Sequence, residues 1–134
     1  MKRRQKNNGS VLLIAIFAVA LLAALVMGML QINTEEIQLM QNQIYAAGAL
    51  ATAEAGLNDA FSEIRVDPNW TTGFTGEPFN GGTYDVNVTG TLPNLTIVSE
   101  GTSSQSFVAR VEADVTIGTS SPYVIRIDNL RINE

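Results

Sequence analysis

The chemistry open to this chain rests on carboxylates and hydroxyls. It has no His and no Cys, which removes the commonest general base, the commonest neutral metal ligand and any disulfide or thiolate site. The carboxylates that stand out are Glu35 and Glu36, adjacent in "NTEEIQ", Glu54 in "TAEAG" and Asp85 in "YDVNV". Acid–base catalysis needs carboxylates facing one reacting bond, and a nucleophilic Ser needs a base within hydrogen-bond reach. The spacing offers neither, and there is no Gly-rich phosphate loop. Asp85-Val-Asn87 lacks the further spaced carboxylates and the glycine of a calcium loop. No catalytic, cofactor-binding or metal-binding residue is therefore expected, and the chain is not expected to be an enzyme. Asn69-Trp-Thr71, Asn87-Val-Thr89 and Asn94-Leu-Thr96 fit the N-glycosylation pattern, but such triplets arise easily in an Asn/Thr-rich stretch.

The segments that hold these residues are of contrasting kinds. Lys2, Arg3, Arg4 and Lys6 form a basic leader, and beyond it four arginines face 13 acidic residues, a net of −9. So acidic a body is a poor match for nucleic acid, whose phosphates call for clustered Lys and Arg. Gly9-Ser10 stands between the leader and an uncharged apolar run, Val11 to Leu30. At about 1.5 Å per residue that run covers roughly 30 Å, a bilayer's hydrocarbon thickness. A discarded secretory signal has a shorter core followed by a small-x-small site. Here the only neat small-x-small triplet, Ala18-Val19-Ala20, lies inside the run. The segment thus reads as a span, with the leader cytoplasmic by the positive-inside rule and the body outside. Glu35 and Glu36 then lie just beyond the span, as interface charges or as contacts to a neighbouring helix.

No Pro occurs from Gln31 to Arg65, and Pro68 in "VDPNW" is the expected helix stop. Apolar residues recur at Ile37, Met40, Ile44, Ala47 and Ala51, then at Leu50, Ala53, Leu57, Phe61 and Ile64. Steps of three and four are helical. Gly48 and Gly56 each cost about 1 kcal/mol against Ala. A continuous helix from Ser10 to Ile64 would be roughly 80 Å long, its second half amphipathic and ready to cover a sheet. Glu54 on this helix is read as solvated, paired with Arg65 or in contact with another subunit.

These residues resemble a known family. Gly9-Ser10 before an aliphatic run, "TEEIQLMQNQ" (Thr34 to Gln43) and "AEAGL" (Ala53 to Leu57) are similar to the N-terminal region of PilX-type minor type IV pilins, over roughly the first half of the chain. "IVSEGT" (Ile97 to Thr102) adds a weaker likeness. The resemblance implies that a prepilin peptidase cuts after Gly9, so that Ser10 begins the mature chain, and it implies methylation. It implies storage as a single-pass protein of a bacterial inner membrane, then transfer by an assembly platform into a filament through packing of Val11, Ile14, Leu21, Leu30 and their neighbours. Other pilin subunits are the implied partners. Major pilins carry a Glu at the fifth mature position, where this chain has Ile14. A carboxylate in lipid is costly unless paired. Its absence disfavours a major subunit and suits a low-copy subunit that helps start or cap assembly. The K-type pseudopilin of type II secretion shares that absence and is the nearest alternative. An uncleaved, membrane-anchored surface binding module is the alternative of a different class.

From Asp67 to Gly82, "DPNWTTGFTGEPFNGG" reads as a loop whose Trp70, Phe74 and Phe79 are expected to cover the core's edge. After it the period becomes two. Tyr84, Val86 and Val88 alternate with polar residues; Leu95 to Ser99 is a short strand; Phe107 to Ile117 alternates most cleanly; Tyr123, Ile125 and Ile127 form a last strand with a bulge before Leu130 and Ile132. The expected fold is α+β and pilin-like: a long N-terminal helix packed by its C-terminal half on an antiparallel sheet of about four strands. The expected divisions are a cleaved leader at 1–9, a membrane and assembly helix at 10–30, its amphipathic continuation at 31–66, and loop plus sheet at 67–134.

Overall fold

A computed structural model describes residues 8–133; the basic leader lies outside them. A helix, α1, runs from Asn8 to Val66. Its uninterrupted stretch of helix-compatible residues ends where Pro68 restricts the residue before it. The Asp67 amide donates to the Glu63 carbonyl, and the Asp67 Oδ1 accepts from the Asn69 amide, closing the last turn. Contacts divide the chain into a unit that runs to Gln41 and a second that starts at Asn42. The described residues of the first are helix alone.

In the second unit five strands follow the helix: β1 (Phe74–Phe79), β2 (Gly82–Thr91), β3 (Asn94–Thr102), β4 (Val108–Ile117) and β5 (Ile125–Asn133). They form one antiparallel meander in sequence order. The extra strand is β1, in the segment expected to be a loop. Only Phe74 of its six residues is turned toward the interior, so it shows no alternation. Asn80 (φ 47°) and Gly81 (φ 80°) make its hairpin turn, and Asn-Gly is the pair a two-residue type I′ turn selects. Trp70 and Phe74 do pack against the core, while Phe79 is exposed, contrary to expectation.

Antiparallel register places paired residues on one face. Tyr84, Val86 and Val88 of β2, Leu95 and Ile97 of β3, and Val111, Ala113, Val115 and Ile117 of β4 all point to the helix side and are buried. Burial of each large aliphatic stabilises by about 1.5–3 kcal/mol. The helix meets them with Ala49, Thr52, Ala53, Gly56, Leu57, Ala60 and Ile64. This face differs from the stripe expected at its start. Ala47 and Ala51 are exposed, as are Ile37, Met40 and Ile44. At 100° per residue they centre about 180° around the helix from the buried residues.

Small residues won the interface because the backbones approach closely. A Cβ on Gly101 of β3 would lie 2.4 Å from the Ala49 carbonyl oxygen and 2.3 Å from the Ala53 nitrogen. A Cβ on Gly56 would lie 2.5 Å from Ser99 Oγ and 2.7 Å from a Tyr84 ring carbon.

Candidate functional site

The residues singled out by sequence lie on α1, and most face outward. Gly9 and Ser10 are helical and exposed, and Gly9 has no side chain or backbone from elsewhere within 4 Å of where a Cβ would stand. Among the described residues nothing covers Val11, Ile14, Leu21 or Leu30, which are all more than half exposed. The most apolar 18-residue window of the helix has a mean hydropathy of 3.0 and none of it is buried. Such a helix is long and apolar enough to cross a membrane. Around Gly28, the side chains of Leu21, Leu25, Met29 and Ile32 border a shallow apolar groove, since Gly28 contributes no side chain.

The polar positions past this apolar stretch are solvated. Thr34 Oγ1 donates back to the Leu30 carbonyl at 2.9 Å, and Gln31 Nε2 donates to Glu35 Oε1 at 3.4 Å. Glu36 and Glu54 are exposed. Among the described residues no salt bridge involves Glu35, Glu36 or Glu54, so the Glu54–Arg65 pairing raised as one possibility does not form.

The sheet places other charges together. On its outer face, Arg131 pairs with Glu112 and, at 3.0 Å, with Asp114, while Arg110 reaches Glu112 at 3.1 Å. Arg126 donates to Asp128 at 2.7 Å, and Thr116 Oγ1 donates to the other Asp128 oxygen at 2.5 Å. The Thr116 hydrogen bond first, and Arg126 second, hold the Asp128 carboxyl below its ordinary range. Asp85, considered for metal, accepts from the Gly76 amide at 3.0 Å and so braces β1. Among the described residues no group of three His, Cys, Asp or Glu is placed to hold a metal ion.

No family model matches this chain, no curated protein matches it, and no solved structure matches it.

Three features escaped sequence reasoning. Tyr84 donates its hydroxyl to Asp59 on the helix, and its ring meets Phe74 edge-on at 5.9 Å. Burial, then the Asp59 hydrogen bond, push the Tyr84 hydroxyl up to about 12. Tyr45 and Phe107 pair at 5.8 Å, joining the helix to the β3–β4 loop. Period-two alternation marked Tyr84 as inward but could not name Asp59 across the interface. The third feature is the openness of the inner face of β5, a strand that was itself expected. Its register sets Ile125, Ile127, Leu130 and Ile132 opposite Ile117, Val115, Ala113 and Val111. These are residues of the helix-covered face, yet Ile127, Leu130 and Ile132 remain 49%, 50% and 48% exposed.

Proposed function

We propose that this chain is a minor pilin-like subunit, held in a bacterial inner membrane by Val11–Leu30 and drawn from it into a type IV pilus or related filament. The observation that supports this reading most is the division of labour along α1. Its N-terminal part is apolar on every side and uncovered, while its C-terminal part is the small-residue cover of an antiparallel sheet. An apolar helix of this kind needs lipid or other apolar helices around it, because its side chains gain nothing from water. Lipid satisfies it during storage, and the helices of neighbouring subunits satisfy it in a filament. Ile14 puts no charge into that bundle, so no carboxylate is there to pair with a neighbour's terminal amine. The subunit still offers its own amine once Ser10 is exposed by cleavage.

Gly9 is in the proposal as the residue before the cut. It is exposed, with a helical backbone that would have to open for the bond to be cut. The test is the mature N-terminus, read by mass spectrometry from membranes with and without the prepilin peptidase. A chain starting at Ser10 only when the peptidase is present is expected, and Gly9→Leu is expected to leave the longer precursor in both. An identical membrane form in the two strains refutes the filament reading in favour of an uncleaved anchored module. Neighbouring genes for a retractable pilus or for secretin-linked secretion distinguish the two kinds of filament.

A further inference from the structure

We propose that the inner face of β5 is the seat for the outward stripe of α1 from a second copy of this chain. It rests on the reading of the chain as a membrane-held filament subunit and names one of that subunit's contacts.

The seat is built by an irregularity. A regular strand that turned Ile125 and Ile127 inward would turn Leu130 and Ile132 outward, because side chains alternate. The register shifts between Ile127 and Asn129, with Asp128 as the extra residue. Such a bulge returns Leu130 and Ile132 to the inner face. All four apolar residues thus make one row continuous with the core. The chain's own helix covers β4, whose Val111, Ala113 and Val115 are at most 2% exposed, and leaves most of the β5 row half open.

The occupant must be apolar along one line of matching length. The row from Ile125 to Ile132 spans about 20 Å at the rise of a strand. The stripe Ile37, Met40, Ile44, Ala47 and Ala51 spans about 20 Å at the rise of a helix. That stripe is exposed at every position, and its Ile44, Ala47 and Ala51 point away from the helix's own sheet face.

Size selects the source of the helix. Three half-open side chains supply only a small part of the ~800 Å² per partner that a stable interface buries. A free soluble partner would not stay. A copy already gathered by its own apolar anchor would, since a tethered surface acts at high effective concentration. Edge-to-edge pairing of two β5 strands is the competing use of this edge, but it would leave the row facing water. The contact proposed is heterologous, so each member keeps one unused row or stripe.

The absence of Cys makes the test direct. Two differently tagged full-length copies are expressed together in membranes, one carrying Leu130→Cys and the other Ile44→Cys, and oxidised. Asn129→Cys in place of Leu130→Cys, and Asn42→Cys in place of Ile44→Cys, are the controls, because they lie on the opposite strand face and helix face. The two-tag dimer is expected at least tenfold above either control. Equal yields, no two-tag dimer, or a preference for Leu130→Cys dimers with themselves overturns the seat. Mature N-termini are read from the same membranes. Cleavage after Gly9 with no cross-link defeats this inference alone, and a specific cross-link on uncleaved chains defeats the filament reading and leaves the seat standing.

Discussion

Gly48 and Gly56 sit eight residues apart in one helix and should respond oppositely to the same change. Gly→Ala in a helix normally stabilises by about 1 kcal/mol, through backbone entropy lost from the unfolded chain. At Gly48 the nearest side-chain or backbone neighbour of a new Cβ is Ser103 Cβ at 4.0 Å, an ordinary contact. Gly48→Ala should therefore stabilise by up to about 1 kcal/mol. At Gly56 the new carbon would stand 2.5 Å from Ser99 Oγ and 2.7 and 2.9 Å from two Tyr84 ring carbons. Comfortable separations are about 3.5–4.0 Å, so helix and sheet must part by about 1 Å. The Tyr84 ring cannot swing aside freely, since its hydroxyl is tied to Asp59. Overpacking of this order costs about 1–3 kcal/mol, which outweighs the propensity gain and leaves a net loss of about 1–2 kcal/mol. The assay is urea unfolding of the full chain in detergent micelles, followed by the fluorescence of Trp70, the only Trp, which packs on Phe74 at 5.1 Å. With a urea slope of about 1–3 kcal/mol per molar, the midpoint should fall by roughly 0.5–1 M for Gly56→Ala and rise for Gly48→Ala. Adding Ser99→Ala removes the nearest clash and a buried hydroxyl that finds no hydrogen-bond partner among the described residues, so it should restore part of the loss. If Gly56→Ala stabilises as Gly48→Ala does, the helix is not seated on β2 and β3 at Gly56 and the packing argument fails.

Alkaline pH tests the other side of this contact. The Tyr84 hydroxyl titrates at about 12 when folded, above its ordinary 10. Its contribution is fully present below pH 10 and is lost as pH rises toward 12. The loss is at most about 3 kcal/mol, and less to the extent that water reaches the hydroxyl beside exposed Asp59. Tyr84→Phe should lower stability by about 1 kcal/mol at pH 7 and flatten that alkaline fall; an unchanged fall between pH 10 and 11.5 would place the titrating group elsewhere. Removal of residues 1–30 should release a soluble α+β protein, because the unit from Asn42 onward holds the whole buried core. Aggregation, or a circular dichroism spectrum without sheet and helix, would show that this core depends on the apolar segment.

The helix and the strands of strong alternation were legible because their periodicities are unbroken. The run without Pro from Gln31 to Arg65 gave the helix, and Phe107 to Ile117 gave β4 to within a residue. The bulge in β5 could be read from the spacing of Ile127 and Leu130. β1 was hidden because an edge strand with one inward residue has no alternation, although Asn80-Gly81 carried the hairpin signal. The later part of the helix stripe, Leu50, Ala53, Leu57, Phe61 and Ile64, does pack on the sheet as read; only its start, Ile37 to Ala51, lies on the other side. Where backbones meet as closely as Gly101 and Ala53, Ala and Gly are the residues selected, so Ala49, Thr52 and Gly56 join that face without any signal from hydrophobic size. The charges Glu35, Glu36 and Glu54 were legible as exposed, but their lack of intramolecular partners depends on distances that spacing does not supply.

The meander also sets an order of events. Each strand of the sheet pairs with the strand made just before it, through turns of a few residues. A chain that emerges N-terminus first can therefore zip β1 to β2, then β3, β4 and β5, with no strand left waiting for a later one. The helix is the exception. Ala49, Ala53 and Gly56 precede Ser99 and Gly101, the β3 residues they meet, by more than 40 residues. Before β3 is synthesised only Tyr84, Val86 and Val88 of β2 offer that face a partner, so full docking of helix to sheet is a late step, finished with the completion of the central strand.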